Sequence, residues 1–147
     1  MQKILIKCKV AVKGSAEGNA LVLNEALSFL EGVNMETGEF NEDSYPELKG
    51  QNLAGKIIIY PYGKGSCGDS IRLWRTHING VGPAGIINHY PDPILVQGAL
   101  LSDIPMVYEP DKDPLQIASS GDWVCLLYTS DAADDTPCVD LGGRRII

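Results

Sequence analysis

The densest set of chemically useful side chains in the chain is Pro61-Tyr62-Gly63-Lys64-Gly65-Ser66-Cys67-Gly68-Asp69-Ser70. It follows an apolar run and precedes a helical pattern. Strand, glycine-rich turn and helix start are the layout of an anion site. The first amides of a helix lack intrahelical partners, and the dipole adds about half a positive charge there. Glycines at 63, 65 and 68 would let a ligand reach the backbone. Lys64 adds a formal charge, and Ser66 and Ser70 add hydroxyls. A plainer reading also fits: the glycines make the turn and Ser66 caps the helix. The Walker pattern is absent. Gly63-x-Gly65-x-x-Gly68 matches the dinucleotide spacing, but no acidic residue is placed to hold a ribose. Cys67 reads as a small packed residue, since no partner ligands are in view. His77 and His89 read as structural or exposed, and Glu39, Glu42, Asp43 and Glu47 as a solvated face.

The elements that must position this loop can be read from period and punctuation. Lys3 to Val12 alternates as a strand, with a turn at Lys13-Gly14-Ser15. Asn19 to Leu27 is a second strand pattern, and Gly32 to Gly55 is a long polar connection. Ile57-Ile58-Ile59 reads as a strand covered on both faces. A helix is expected from about Ser66 to Asn79, with Ile71, Trp74 and Ile78 as its core-facing stripe and Gly80 as its stop. Ala84 to Tyr90 reads as a strand. Asp92-Pro93 opens a helix through Asp103, Ile104 to Glu109 is a strand, and Asp113-Pro114 opens a short helix to Ala118. A last strand begins at Gly121. Strand and helix alternate from residue 56 onward, which implies an α/β fold with parallel strands and crossover helices behind a β-rich front half.

The chain has 147 residues, 44% apolar and 21% charged, as expected of one globular domain. Its formal net charge of −7 argues against nucleic-acid binding through phosphates. No apolar run is long enough to span a membrane, and the N-terminus lacks a signal-peptide cleavage pattern. The segment 125–147 stands apart. It matches, in frame, a translated transposon-type sequencing adapter interrupted by a barcode at Thr136 and Pro137. The expected division is therefore a natural domain over 1–124, its last strand truncated, and an adapter-encoded tail over 125–147. Setting the tail aside leaves Cys8 and Cys67, with no disulfide or metal-ligand spacing. A reducing cytoplasm is the default expectation.

Read in order, four elements carry a family likeness: Ala16-Glu17-Gly18, the run from Ser28-Phe29 to Thr37-Gly38, Gly63-Lys64-Gly65-Ser66 through Ser70, and Asp92-Pro93-Ile94 with Gly98-Ala99. Together they resemble the small subunit, or swivel domain, of the aconitase X family, across roughly Lys3 to Val124. That pattern runs A-E-G, S-F-x-G-G-V-D-P-E-T-G, G-K-G-S-x-x-G-S, then D-P-I with G-A. Glu31 departs from a glycine, Asn34-Met35 from Asp-Pro, and Asp69 from the glycine before the second serine. A carboxylate beside an anion site is unfavourable unless it caps a helix or binds a cation.

The resemblance implies a swivelling β/β/α domain that closes over a larger catalytic subunit. It implies a hydro-lyase that works only with that partner and acts on a small anionic hydroxy acid such as 5-phosphomevalonate or cis-3-hydroxy-L-proline. The iron or iron–sulfur centre is expected on the large subunit, with no cofactor or metal on this chain. Ser66 matches the family's proposed proton acceptor. Gly63, Lys64, Gly65, Cys67 and Gly68 would form the anion-stabilising loop, through backbone groups except for Lys64. Ser70 would contact substrate or cap the turn. A serine alkoxide is unstable in water, and each donor aimed at it in a dry site is worth ~1–4 kcal/mol. Two other readings remain at this stage: a non-catalytic anion-binding swivel module serving a partner enzyme, and a stand-alone phosphate-binding α/β domain.

Overall fold

The computed structural model describes residues 3–127 and 138–142. Eight strands form one mixed sheet in the order β1-β8-β7-β3-β4-β5-β6-β2. These are β1 (Lys3–Lys7), β2 (Lys9–Val12), β3 (Ala16–Val22), β4 (Ile57–Tyr60), β5 (Gly85–Asn88), β6 (Met106–Tyr108), β7 (Trp123–Leu127) and β8 (Cys138–Gly142). The centre, β3-β4-β5-β6, is parallel, and the flanking pairs are antiparallel. Alternation sorts the core into two layers. Ile58 and Tyr60 face a cluster with Leu73, Leu95 and Phe29, whereas Ile57 and Ile59 face Ile6, Val107 and Val124. Both faces of β4 are covered, as its three consecutive isoleucines require.

Four helices connect these strands: α1 (Phe29–Gly32), α2 (Asp69–Ile78), α3 (Pro93–Leu101) and α4 (Pro114–Ile117). Asp92 and Asp113 cap α3 and α4 as expected, accepting from Ile94 N at 3.3 Å and Leu115 N at 3.0 Å. The α2 and α3 crossovers each join parallel strand to parallel strand. They touch where Gly98 meets Ser70, and a Cβ at Gly98 would stand 2.8 Å from Ser70 Cα.

The structure corrects several readings of the sequence. The first strand is split at Cys8, and the second runs over Ala16–Val22 rather than 19–27. The family-like Ala16-Glu17-Gly18 element is thus strand, with Glu17 and Gly18 paired to β7. The long connection is not merely solvated: Phe40, Tyr45, Leu48 and Leu53 from it enter the core. The stripe on α2 is turned the other way. Leu73 and Thr76 are buried, while Ile71 and Ile78 are 58% and 59% exposed. The expected division at residue 125 stands apart from these corrections: Cys125–Leu127 lie in β7 and Cys138–Gly142 in β8, while 128–137 and 143–147 lie outside the described residues.

Gly98→Ala is expected to push α2 off α3 and cost about 1–3 kcal/mol. Urea unfolding of the variant measures this, and wild-type stability would show that the crossing yields freely.

Candidate functional site

The loop leaves β4 at its carboxyl end, beside the point where β5 feeds α3. Two contacts pin its start: Lys64 N donates to Leu27 O at 3.1 Å, and Leu27 bridges Gly63. Gly63 is needed because Asp92 packs beneath it; a Cβ would lie 2.8 Å from Asp92 Oδ2. Gly65 has φ +79°, a backbone conformation that suits glycine and reverses the chain. Asp69 N then donates to Ser66 O at 3.0 Å, closing a turn that leads into α2.

The helix therefore starts at Asp69, not Ser66, and its cap residue is Gly68 with no side-chain cap. That removes capping as the role of Ser66. Between the two anchors, the N–H groups of Gly65, Ser66, Cys67 and Gly68 make no hydrogen bond to any described residue. Successive amides around a left-handed glycine are the make-up of an anion-binding nest. Ser66 is the second of the four residues, half-buried, its hydroxyl also unbonded to described residues. Cys67 is exposed and Ser70 is buried. Ser70 lies where α2 meets α3 at Gly98.

Lys64 does not converge on Ser66. Its ammonium lies 5.6 Å over the Tyr45 ring and 3.6 Å from Glu31 Oε2. Tyr45 first, and Glu31 after it, raise its pKa. The lysine charge thus stands at the α1 side of the loop, leaving the nest to backbone dipoles.

The residue that most changes the picture is Asp69. It is fully buried, and it does not cap its own helix. Its Oδ1 accepts from Leu30 N at 2.9 Å and from Ser28 Oγ at 3.2 Å, so it caps α1 across the fold. Ser28 Oγ accepts from Glu31 N, and Ser28 N donates to the Tyr45 hydroxyl, which donates to Ala26 O at 3.1 Å. One carboxylate thereby locks α1, Tyr45 and the start of α2 together. Beneath the loop, the Tyr60 hydroxyl, Asn88 Oδ1, Asp69 Oδ2 and Asp92 Oδ2 are enclosed without a protein partner. Burial drives the Tyr60 pKa far above its usual range. Nothing in the sequence pattern marked Ser28, Tyr45 or Asp92 as loop supports; only the departure at Asp69 hinted at a special role.

Among the described residues, no three His, Cys, Asp or Glu side chains come together as a metal site. Of the described cysteines, Cys8 and Cys125 are buried and Cys67 lies in the loop, and these three do not gather as ligands of an iron–sulfur cluster. Among them too, no helix is long and apolar enough to cross a membrane.

Comparison with known proteins places this geometry. A family model described as "Aconitase X swivel domain" matches residues 5–132. The phosphomevalonate dehydratase small subunit of Methanococcoides burtonii is 39% identical over 130 residues, covering 88% of this chain and 94% of that one. The small subunit of the same name from Archaeoglobus fulgidus is 41% identical over 117 residues, covering 80% and 87%. The crystal structure of Thermococcus kodakaraensis aconitase X in its holo-form superposes with a TM-score of 0.80 at 34% identity, covering 95% of this chain and 98% of that one.

Burial raises the Asp69 pKa above its ordinary 3.8, opposed by the bonds from Leu30 and Ser28. A raised folded value means that the native state binds this proton more tightly than the unfolded chain. Its contribution to stability is complete below about pH 3.8 and is lost as pH rises through the folded value. The stability of wild type relative to Asp69→Asn should fall over that window, read by urea unfolding at stepped pH; a rise would contradict the assignment. Asp69→Ala should cost about 1–3 kcal/mol at low pH by stranding Leu30 N and Ser28 Oγ, and less as pH rises through the folded value.

Proposed function

This chain belongs to the aconitase X swivel-domain family, and from that premise we propose that it is the small subunit of a two-subunit hydro-lyase, phosphomevalonate dehydratase. Two observations support the reading. The likeness to subunits of that name spans 87–94% of their length. The chain also presents four amides, Gly65 to Gly68, without a hydrogen-bond partner among the described residues, which is the observation that carries the chemistry.

Dehydration of a β-hydroxy acid removes a proton from the carbon beside the carboxylate and a hydroxide from the next carbon. The first step needs a base and the second an acid. In this reading Ser66 Oγ, as the alkoxide, takes the carbon-bound proton. Negative charge then leaves the oxygen for the substrate's carboxylate, so the amides of Gly65–Gly68 matter most before transfer, when they hold the charge on Ser66. Such donors are already oriented and pay no reorganisation as charge develops. The turn between Gly65 and Asp69 keeps the nest in shape, and Asp69 fixes the turn against α1.

An exposed alkoxide would be protonated by water, and the loop is open in the isolated chain. Closure against a larger subunit would exclude water, consistent with a swivelling domain. The ligands of the iron or iron–sulfur centre implied by the resemblance belong, in this reading, to that larger subunit.

One observation favours a second reading. No described side chain is hydrogen-bonded to Ser66 Oγ, so no described group is in contact to deprotonate it. A non-catalytic module in which the nest merely binds the anionic end of the substrate is consistent with that.

Ser66→Ala in the reconstituted two-subunit enzyme separates the two. Loss of the base should lower kcat by about 10²–10⁴-fold with assembly intact. The assay is run with 5-phosphomevalonate, where turnover is expected, and with cis-3-hydroxy-L-proline, where it is not. A variant with normal kcat but raised KM would select the binding module.

A further inference from the structure

Helix α2 wears its apolar side outward. Asp69, Ser70, Leu73 and Thr76 face the fold, and Ile71 and Ile78, with Trp74 half-buried beside them, face away. The neighbouring helix does the same at its end: Leu100 and Leu101 are 62% and 63% exposed. The two helices pack at Gly98 and Ser70, so these side chains belong to the outer surface of one helix layer. A single exposed leucine is ordinary, but four large aliphatic side chains on one two-helix layer form the kind of patch that marks an interface. The normal pattern for a surface helix is the opposite.

Charge selects the occupant. Arg75 is exposed beside that ridge, and the helix's one carboxylate, Asp69, is buried, although the chain as a whole is −7; Arg72 turns instead to the pocket it lines with Leu30, Glu31, Glu36 and Glu39. A two-fold contact of this face with itself would set arginine against arginine. An apolar surface rimmed with Asp and Glu would complement it. The ridge also begins at Ile71, five residues after Ser66, so a partner that closes over the nest reaches it without a gap.

We infer that the outer face of α2, extended by the end of α3, docks the large subunit of the dehydratase, through an apolar patch on that subunit with an acidic rim. This deepens the small-subunit reading and rests on it. The face acts as a fixed anchor from which the glycine loop is presented to the partner.

The test uses the full chain co-purified with the large subunit of the same enzyme, with affinity read by sedimentation velocity across a concentration series. Ile71→Glu with Ile78→Glu should weaken association by about 30-fold or more, the effect of losing a central interface anchor. Circular dichroism and the unfolding midpoint should stay at wild type, since neither side chain is in the core. Arg75→Glu, a solvent-facing single change, should weaken it about 10-fold, most strongly at low salt. Leu5→Glu on β1, away from the face, should leave affinity unchanged. Wild-type affinity in the double variant and in Arg75→Glu overturns the docking face while leaving the small-subunit reading intact. Equal losses in Leu5→Glu also overturn it. Failure of the wild-type chain to bind the large subunit overturns the small-subunit reading itself, and the inference falls with it. Dimers of the isolated chain that Ile71→Glu dissolves would assign the face to a second copy instead.

Discussion

Four consecutive backbone amides, Gly65 to Gly68, have no hydrogen-bond partner among the described residues. That constraint organises the structure around them. Buried backbone N–H groups are rarely left unpaired; here Gly65 and Cys67 are exposed, so water or an anion from outside can serve these amides. The loop can hold them in one turn because both its ends are tied: Lys64 N to Leu27 O, and Asp69 N to Ser66 O. Gly65 supplies the reversal, and Gly63 makes room for Asp92 beneath. The parallel strands matter because β4 and β5 deliver the loop and the α3 cap to the same carboxyl end of the sheet.

Asp69 shows how a cost can be placed usefully. A fully buried carboxylate is expensive, and its raised pKa records that. Its two donors, Leu30 N and Ser28 Oγ, partly offset the desolvation and give the fold a cross-brace. The brace reaches Tyr45, which holds Lys64 over its ring and away from Ser66. The chemistry assigned to the nest thus rests on backbone dipoles, with the lysine charge set to one side.

Much of the architecture was legible. Three consecutive isoleucines, the Asp-Pro helix starts and the order of family motifs led to the α/β swivel fold, because each reflects a local rule: two-sided burial, capping, turn chemistry. What failed was whatever depends on the third dimension. Ile71, Trp74 and Ile78 have core-like spacing, yet Leu73 is the buried residue. Period alone finds an apolar face and cannot say whether the chain itself or a partner covers it. Ser66 looked like a cap because it precedes a helical pattern, but the turn to Asp69 moves the helix three residues on. Tyr45 was invisible because its role is a contact from a long connection to a residue distant in sequence.

The central claim is that the amides of Gly65–Gly68 receive an anion. It is tested most directly by ¹⁵N–¹H NMR of the labelled chain titrated with 5-phosphomevalonate. The account predicts that the largest shift changes fall on the resonances of Gly65, Ser66, Cys67 and Gly68. Those four resonances standing still under excess ligand, whether or not others move, would contradict it.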